Sequence, residues 1–199
     1  MDLYNIIIAP DPVLKSEAQP VSSVNADIQQ QIDRMLATMY DAPGIGLAAN
    51  QVGLLNRIFV MDCDPKSWEY GSEQDGALEI RSTYRSGEEG DEPIERARNP
   101  IVMVNPEILW RSEQRSFFDE GCLSLPGQFG TVERPAKVRV KYLDYDGNQQ
   151  EMEAEGLVSH CVQHELDHLN GVLFVDYLSG LKRNMIIRRM EKLKKQQVL

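Results

Sequence analysis

The spacing of apolar residues changes period several times along the chain, and each change marks an element. From Asp27 to Tyr40, Ile28, Ile32, Met35, Leu36 and Met39 recur at helical spacing. A helix is predicted there, stopped by Pro43-Gly44. Arg57-Ile58-Phe59-Val60-Met61 reads as a strand, as does Ile101 to Asn105, where Pro106 ends the run or marks an edge position. Val138, Val140 and Tyr142 alternate with basic residues, Asp146-Gly147 makes a turn, and Gln150 to Ala154 pairs back as a hairpin. A helix begins near Glu155. Leu157, Cys161, His164 and His168 lie on one stripe of it, and Val158, Val162, Glu165 or Leu166, and Leu169 on a second. Two largely apolar stripes predict a helix covered on most sides, with Gly171 after Asn170 as its stop.

The two ends and one interior stretch read differently. Residues 1–25 form an irregular arm, because Pro10, Pro12 and Pro20 interrupt any long helix. Residues 62–99 are acidic and turn-rich, including Gly87-Glu88-Glu89-Gly90-Asp91-Glu92-Pro93. They predict an inserted loop or hairpin, a solvated excursion. A last amphipathic helix, near 179–197, carries Leu181, Met185, Ile186, Met190 and Leu193 on one face. Lys182, Arg183, Arg188, Arg189, Lys192, Lys194 and Lys195 supply its basic charge.

Composition narrows the class. A chain of 199 residues, 42% of them hydrophobic, suits one compact domain spanning 1–199. The formal net charge of −10 argues against general nucleic-acid affinity and against specific DNA binding, while leaving room for a local basic patch. The opening Met-Asp-Leu-Tyr-Asn lacks a basic leader, and no apolar run approaches the roughly 18 residues a membrane span needs. Three cysteines, an odd count, fit a reducing cytoplasm in which thiols are ligands or core residues.

Two segments carry chemistry. Gly44-Ile45-Gly46-Leu47-Ala48-Ala49-Asn50-Gln51-Val52-Gly53 formally matches a dinucleotide fingerprint, but a helix precedes it and a strand follows. That inverted context removes the nucleotide reading and leaves glycines that let backbone approach something closely. Val162-Gln163-His164-Glu165-Leu166-Asp167-His168-Leu169-Asn170-Gly171 contains H-E-x-x-H. On a helix, His164 and His168 stand one turn apart, spaced to grip one divalent metal. Glu165 lies roughly 60° around the helix from His168, near the metal without ligating it. The bland alternative is a set of buried structural histidines, yet buried imidazoles need partners and a metal supplies them.

Two histidines leave a metal under-coordinated. Phe174 stands where the metzincin extension would place a third histidine, and the only downstream glutamate, Glu191, sits in a basic segment. The remaining soft candidates are Cys63, Cys122 and Cys161. A third ligand from the same helix would crowd the metal, which disfavours Cys161. Cys63 lies at the mouth of the acidic insertion. Cys122, flanked by Gly121, is the best placed.

Three stretches, in order, resemble the signature motifs of peptide deformylases. They are Gly44 to Gln51, Glu120-Gly121-Cys122-Leu123-Ser124, and Gln163 to Gly171. The similarity covers most of the chain apart from the insertion and the C-terminal tail. It implies an α+β fold with antiparallel sheets around the central metal-binding helix. It also implies a site of Cys122, His164 and His168 usually holding ferrous iron and able to take zinc, nickel or cobalt. The implied reaction removes the N-formyl group from the formyl-methionine of newly synthesised peptides and releases formate. Glu165 then moves the proton, and the Gln51 amide and the Leu123 backbone N–H face the oxyanion.

The same resemblance implies strand-like pairing of the peptide with Ile45, Gly46 and Gly121. The methionine side chain would enter a pocket formed by Ile45, Leu157, His160, Cys161 and His164. Two positions depart from the family pattern: His160 stands where an aliphatic residue is common, and Phe129 where bacterial members often carry arginine. The insertion is also longer than usual. The basic terminal helix offers a contact to ribosomal RNA, with packing plus a solvated face as the plain alternative. Three other readings stay open. These are a zincin-type metallopeptidase, a catalytically silent metal- or peptide-binding module, and a thiol hydrolase with Cys122 as nucleophile.

Overall fold

The computed structural model describes residues 2–42, 44–63, 68–82 and 98–197. Pro43, assigned above as a helix stop, and the acidic run 87–93 lie outside the described residues. Among the described residues there are three α-helices: α1 (Ala26–Asp41), α2 (Gly156–Leu169) and α3 (Gly180–Gln197). The strands are β1 (Gly46–Ala48), β2 (Ile58–Met61), β3 (Trp68–Gln74), β4 (Ala77–Ser82), β5 (Ile101–Arg111), β6 (Arg115–Gly121), β7 (Phe129–Pro135), β8 (Lys137–Leu143) and β9 (Gln149–Glu155). One sheet runs β1-β2-β5-β8-β9 and a second β3-β4-β6-β7. All pairings are antiparallel except β4 with β6.

Period-2 alternation in β2 explains how two cores share one sheet. Ile58 and Val60 pack with Ile32, Met35 and Met39 of α1. Phe59 and Met61 face the other way, onto Cys161, Val162, Leu166 and Leu169 of α2. Burying each such side chain is worth about 1.5–3 kcal/mol relative to leaving it in water. A third cluster, with Leu125, Val132, Phe174 and Val175, takes in Ile186 and Met190 of α3. The stripe predicted for α3 therefore divides: Leu181 and Met185 are 85% and 45% exposed, while Ile186 and Met190 are buried.

Helix α2 touches strands of both sheets, and only Val158 and Asp167 of its residues escape burial. The helix ends at Asn170, followed by Gly171 at φ +71°, the left-handed region where glycine is favoured. A Cβ there would also press on the Lys15 carbonyl of the N-terminal arm.

One feature departs from the sequence expectations. Strand β5 does not stop at Pro106 but runs on to Arg111. The register shifts between Val104 and Glu107, so the proline's missing donor falls in a bulge. Asn105 takes φ +52° there and holds the bend by bonding Val21 N–H and C=O at 2.8 and 2.7 Å. The described part of the acidic insertion takes one of the two forms expected from sequence, a hairpin: β3 pairs with β4, and β4 also runs along β6.

Candidate metal centre

Strand β6 delivers the site to α2. Its buried polar residues are Ser116 and Glu120, four apart and therefore on one face. The chain leaves the strand at Gly121 and places Cys122 over the helix. Cys122 Sγ lies 3.2 Å from His168 Nε2. One ligand atom each from Cys122, His164 and His168 falls within 4.8 Å of the others. It is the one such cluster of three among the described residues. Cys63 and Cys161 are buried elsewhere, each with its thiol toward the Ile45 carbonyl, at 3.9 and 3.7 Å.

The donors suit a borderline-soft divalent cation. His164 Nδ1 is bonded to Glu120 Oε2 at 2.9 Å, which turns its other nitrogen toward Cys122. Taken as bare side chains, the two imidazoles differ. Burial opposes charge on His164, but the bonds to Cys122 and Glu120 outweigh it and raise its pKa well above the usual imidazole value. Burial drives His168 well below that value, leaving a neutral ring able to donate its lone pair. His164 thus holds a proton, beside the Cys122 thiol, that a cation would displace. Glu165 Oε2 is buried with no hydrogen-bond partner among the described residues, as expected where a ligand completes the arrangement.

Glu165 is 3% exposed, and burial pushes its carboxyl up to about 7, with the His164 charge pulling the other way. That value is matched to proton transfer near neutral pH. Gln51, 1% exposed in the turn after β1, is fixed in orientation. Its Oε1 accepts from Ala48 N–H at 2.8 Å, so its amide nitrogen faces Ser124 Oγ at 3.2 Å and Cys122 Sγ at 3.4 Å.

A cavity of about 580 Å³ opens over these groups. Ile45, Gly46, Gly121, Leu123, Leu157, His160, Cys161, His164 and Glu165 line it, so the residues named from sequence converge. Phe129, paired with Gly121 across β6 and β7, stands 63% exposed at its wall. His160 has both ring nitrogens engaged, by Glu120 Oε1 at 3.2 Å and Ser116 Oγ at 3.0 Å. Its contribution to the cavity is therefore ring carbon, and the wall is less polar than a histidine suggests.

The sequence reading gave no role to Glu120 or Arg134, which organise the site from behind. Arg134 grips both oxygens of Glu120, at 2.6 and 3.0 Å, and reaches Asp167 at 2.8 Å. Burial opposes the charge on Glu120, but Arg134, His160 and His164 together hold its pKa well below the usual carboxylate range. A signal was available: Arg134 occupies an inward position of alternating β7, in line with Gly130 and Val132. A charge at a core-facing position needs a buried partner.

The chain is similar to known proteins over nearly all of its length. A family model described as polypeptide deformylase matches residues 3–184. A peptide deformylase of Mesorhizobium japonicum is 48% identical over 195 residues, covering 98% of this chain and 95% of that protein. One from Rhizobium meliloti is 46% identical over 192 residues, covering 96% and 94%. Among solved structures, a peptide deformylase from Ehrlichia chaffeensis in complex with actinonin superposes with a TM-score of 0.79. It is 35% identical, over 96% of this chain and 98% of that one. A Legionella pneumophila peptide deformylase gives the same TM-score at 38% identity, over 99% and 98%.

Proposed function

The chain belongs to the polypeptide deformylase family, enzymes that remove the N-formyl group from nascent peptides, and we propose a role for each group in its site. Cys122, His164 and His168 hold one divalent metal ion, ferrous iron in the cell, with zinc, nickel or cobalt able to replace it. When bound, that cation supplies Lewis acidity, which polarises a carbonyl and brings the pKa of a water toward roughly 7.

The chain's own residues do the rest. Glu165 takes the proton of the attacking water and passes it to the departing amine as the formyl carbon–nitrogen bond breaks, freeing formate. The Gln51 amide nitrogen and the Leu123 backbone N–H donate to the oxygen that gains charge. Ile45, Gly46 and Gly121 backbone pair with the extended peptide. Leu157, His160 and Cys161 receive the methionine side chain, an unbranched thioether suited to apolar carbon beside a thiol. Phe129 offers an aromatic face to the residues that follow.

The observation that carries this reading is the convergence of one thiol and two imidazoles beside a buried Glu165 oxygen that has no hydrogen-bond partner among the described residues. The whole chain acts as one catalytic domain. We place it in the cytoplasm, where new peptides emerge. No helix among the described residues is long and apolar enough to cross a membrane. The exposed cations of α3, Lys182, Arg183, Arg188, Arg189 and Lys192, form a docking face for ribosomal RNA.

The test is anaerobic formate release from formyl-methionyl peptides with metal content measured on the same sample. Turnover that tracks one metal per chain supports the assignment. Turnover that survives complete chelation, or cleavage of unformylated peptides instead, would overturn it.

A further inference from the structure

His160 is 1% exposed and lies one turn before His164 on α2, so the two rings meet the same carboxylate. Glu120 Oε1 receives Arg134 Nε at 2.6 Å and His160 Nδ1 at 3.2 Å. Glu120 Oε2 receives Arg134 Nη2 at 3.0 Å and His164 Nδ1 at 2.9 Å. An ionised carboxylate only accepts, so both histidines donate from Nδ1. The lone pair of His160 Nε2 is then left to accept from the Ser116 hydroxyl at 3.0 Å. Each oxygen of Glu120 thus takes two donors, and a chain of bonds runs Ser116–His160–Glu120–His164.

We propose that His160 is a positioning residue for the metal centre: by bonding Glu120 it fixes the carboxylate that orients His164, and so governs metal retention and turnover. The proposal rests on reading Cys122, His164 and His168 as the metal ligands. With His160 removed, Oε1 keeps only the Arg134 donor. The carboxylate is then free to turn toward the guanidinium, and His164 loses the partner that aims its other nitrogen. An aliphatic side chain at 160 can make neither bond. Carboxylates behind a ligating histidine contribute about 10–100-fold in metal affinity, and His160 draws on part of that effect.

The experiment uses Co²⁺-loaded full-length protein, following loss of the cobalt–thiolate absorption to a chelator, together with kcat and KM for a formyl-methionyl peptide. His160→Leu is expected to release Co²⁺ about tenfold faster or more and to lower kcat, with KM within about twofold. His160→Asn sets an amide nitrogen near the position of Nδ1 and is expected to recover most of the retention. His160→Gln, whose nitrogen lies nearer Nε2, is expected to recover little. Ser116→Ala leaves the Glu120 bond in place and should change release slightly.

Wild-type Co²⁺ release in His160→Leu would overturn the proposal, as would a raised KM with unchanged release, which marks a pocket wall only. Should His160→Leu fail to fold, the Asn and Gln variants decide: equal release rates in the two overturn it. Wild-type protein showing no cobalt–thiolate band would instead sink the ligand assignment beneath it.

Discussion

Gly46 lies so close against Glu165 that a Cβ added to the glycine would overlap Glu165 Oε1. The first backbone residue of β1 thus forms one wall of the slot that holds the buried carboxylate. Gly46→Ala must push the carboxylate aside, although it removes no chemical group. The expected result is a loss of about 10²-fold or more in kcat, approaching the 10²–10⁴-fold of deleting a general base outright. Glu165→Ala should show that larger loss while binding one metal per chain. Formate release and metal content measured together check both. Wild-type turnover in either variant would detach Glu165 from the chemistry.

Gln51 is held by Ala48 N–H so that its amide nitrogen stays aimed at the thiol side of the cavity. Gln51→Ala should lower kcat about 10²–10³-fold, the usual cost of one oxyanion donor. Ser124→Ala removes a hydroxyl 3.2 Å from that nitrogen and should cost less. A Gln51→Ala enzyme with kcat within about threefold of wild type would assign the oxyanion to other donors.

Glu120 and Arg134 form an ion pair in which each side chain is 4% exposed. Arg134→Leu leaves a buried carboxylate uncompensated and should destabilise the fold by about 3–5 kcal/mol, read by chemical denaturation. The pH dependence follows from the depressed Glu120 pKa. The unfolded carboxyl titrates near 4.3, so the contribution of Glu120 to stability is complete above about pH 5. It is lost as pH falls through the lower, folded value. Stability of metal-free wild type should therefore decline below about pH 5 more steeply than that of Glu120→Gln. Equal acid slopes in the two would show that Glu120 does not remain ionised in the fold.

Much of this site was legible in the chain because its ligands fall at fixed short spacings. His164, Glu165 and His168 are placed by helix geometry alone, and Cys122 sits beside a glycine in a short motif. The two cores of β2 follow from its uninterrupted apolar run. What escaped depends on long-range pairing. Glu120, Arg134 and Asp167 come from β6, β7 and α2, and no local period shows that the three charges meet in one network. Pro106 misled because a proline ends a ladder only where no bulge absorbs it, and the Asn105 bend is fixed by Val21 of the distant arm. The α3 stripe was overdrawn for a similar reason. Helical spacing names one apolar face, but tertiary packing decides which part of it is covered.

That division of α3 also dictates how ribosome docking should be tested. Deleting the helix would uncover Leu173, Phe174 and Val175, which pack with Ile186 and Met190, so weaker binding by a truncated chain would report misfolding as readily as a missing docking face. Lys194 should be spared as well, since it bonds Asp11 at 2.9 Å and the Pro10 carbonyl at 3.0 Å, tying the helix to the arm. The exposed cations can be changed without touching the core: Lys182→Glu, Arg183→Glu, Arg188→Glu and Lys192→Glu together. This variant should keep wild-type formate release on free peptides. Its co-sedimentation with ribosomes should weaken, and the salt dependence should flatten by about 0.7–0.9 in log–log slope for each phosphate no longer neutralised. Undiminished sedimentation with an unchanged salt slope would end the docking proposal, leaving α3 as packing plus a solvated charged face.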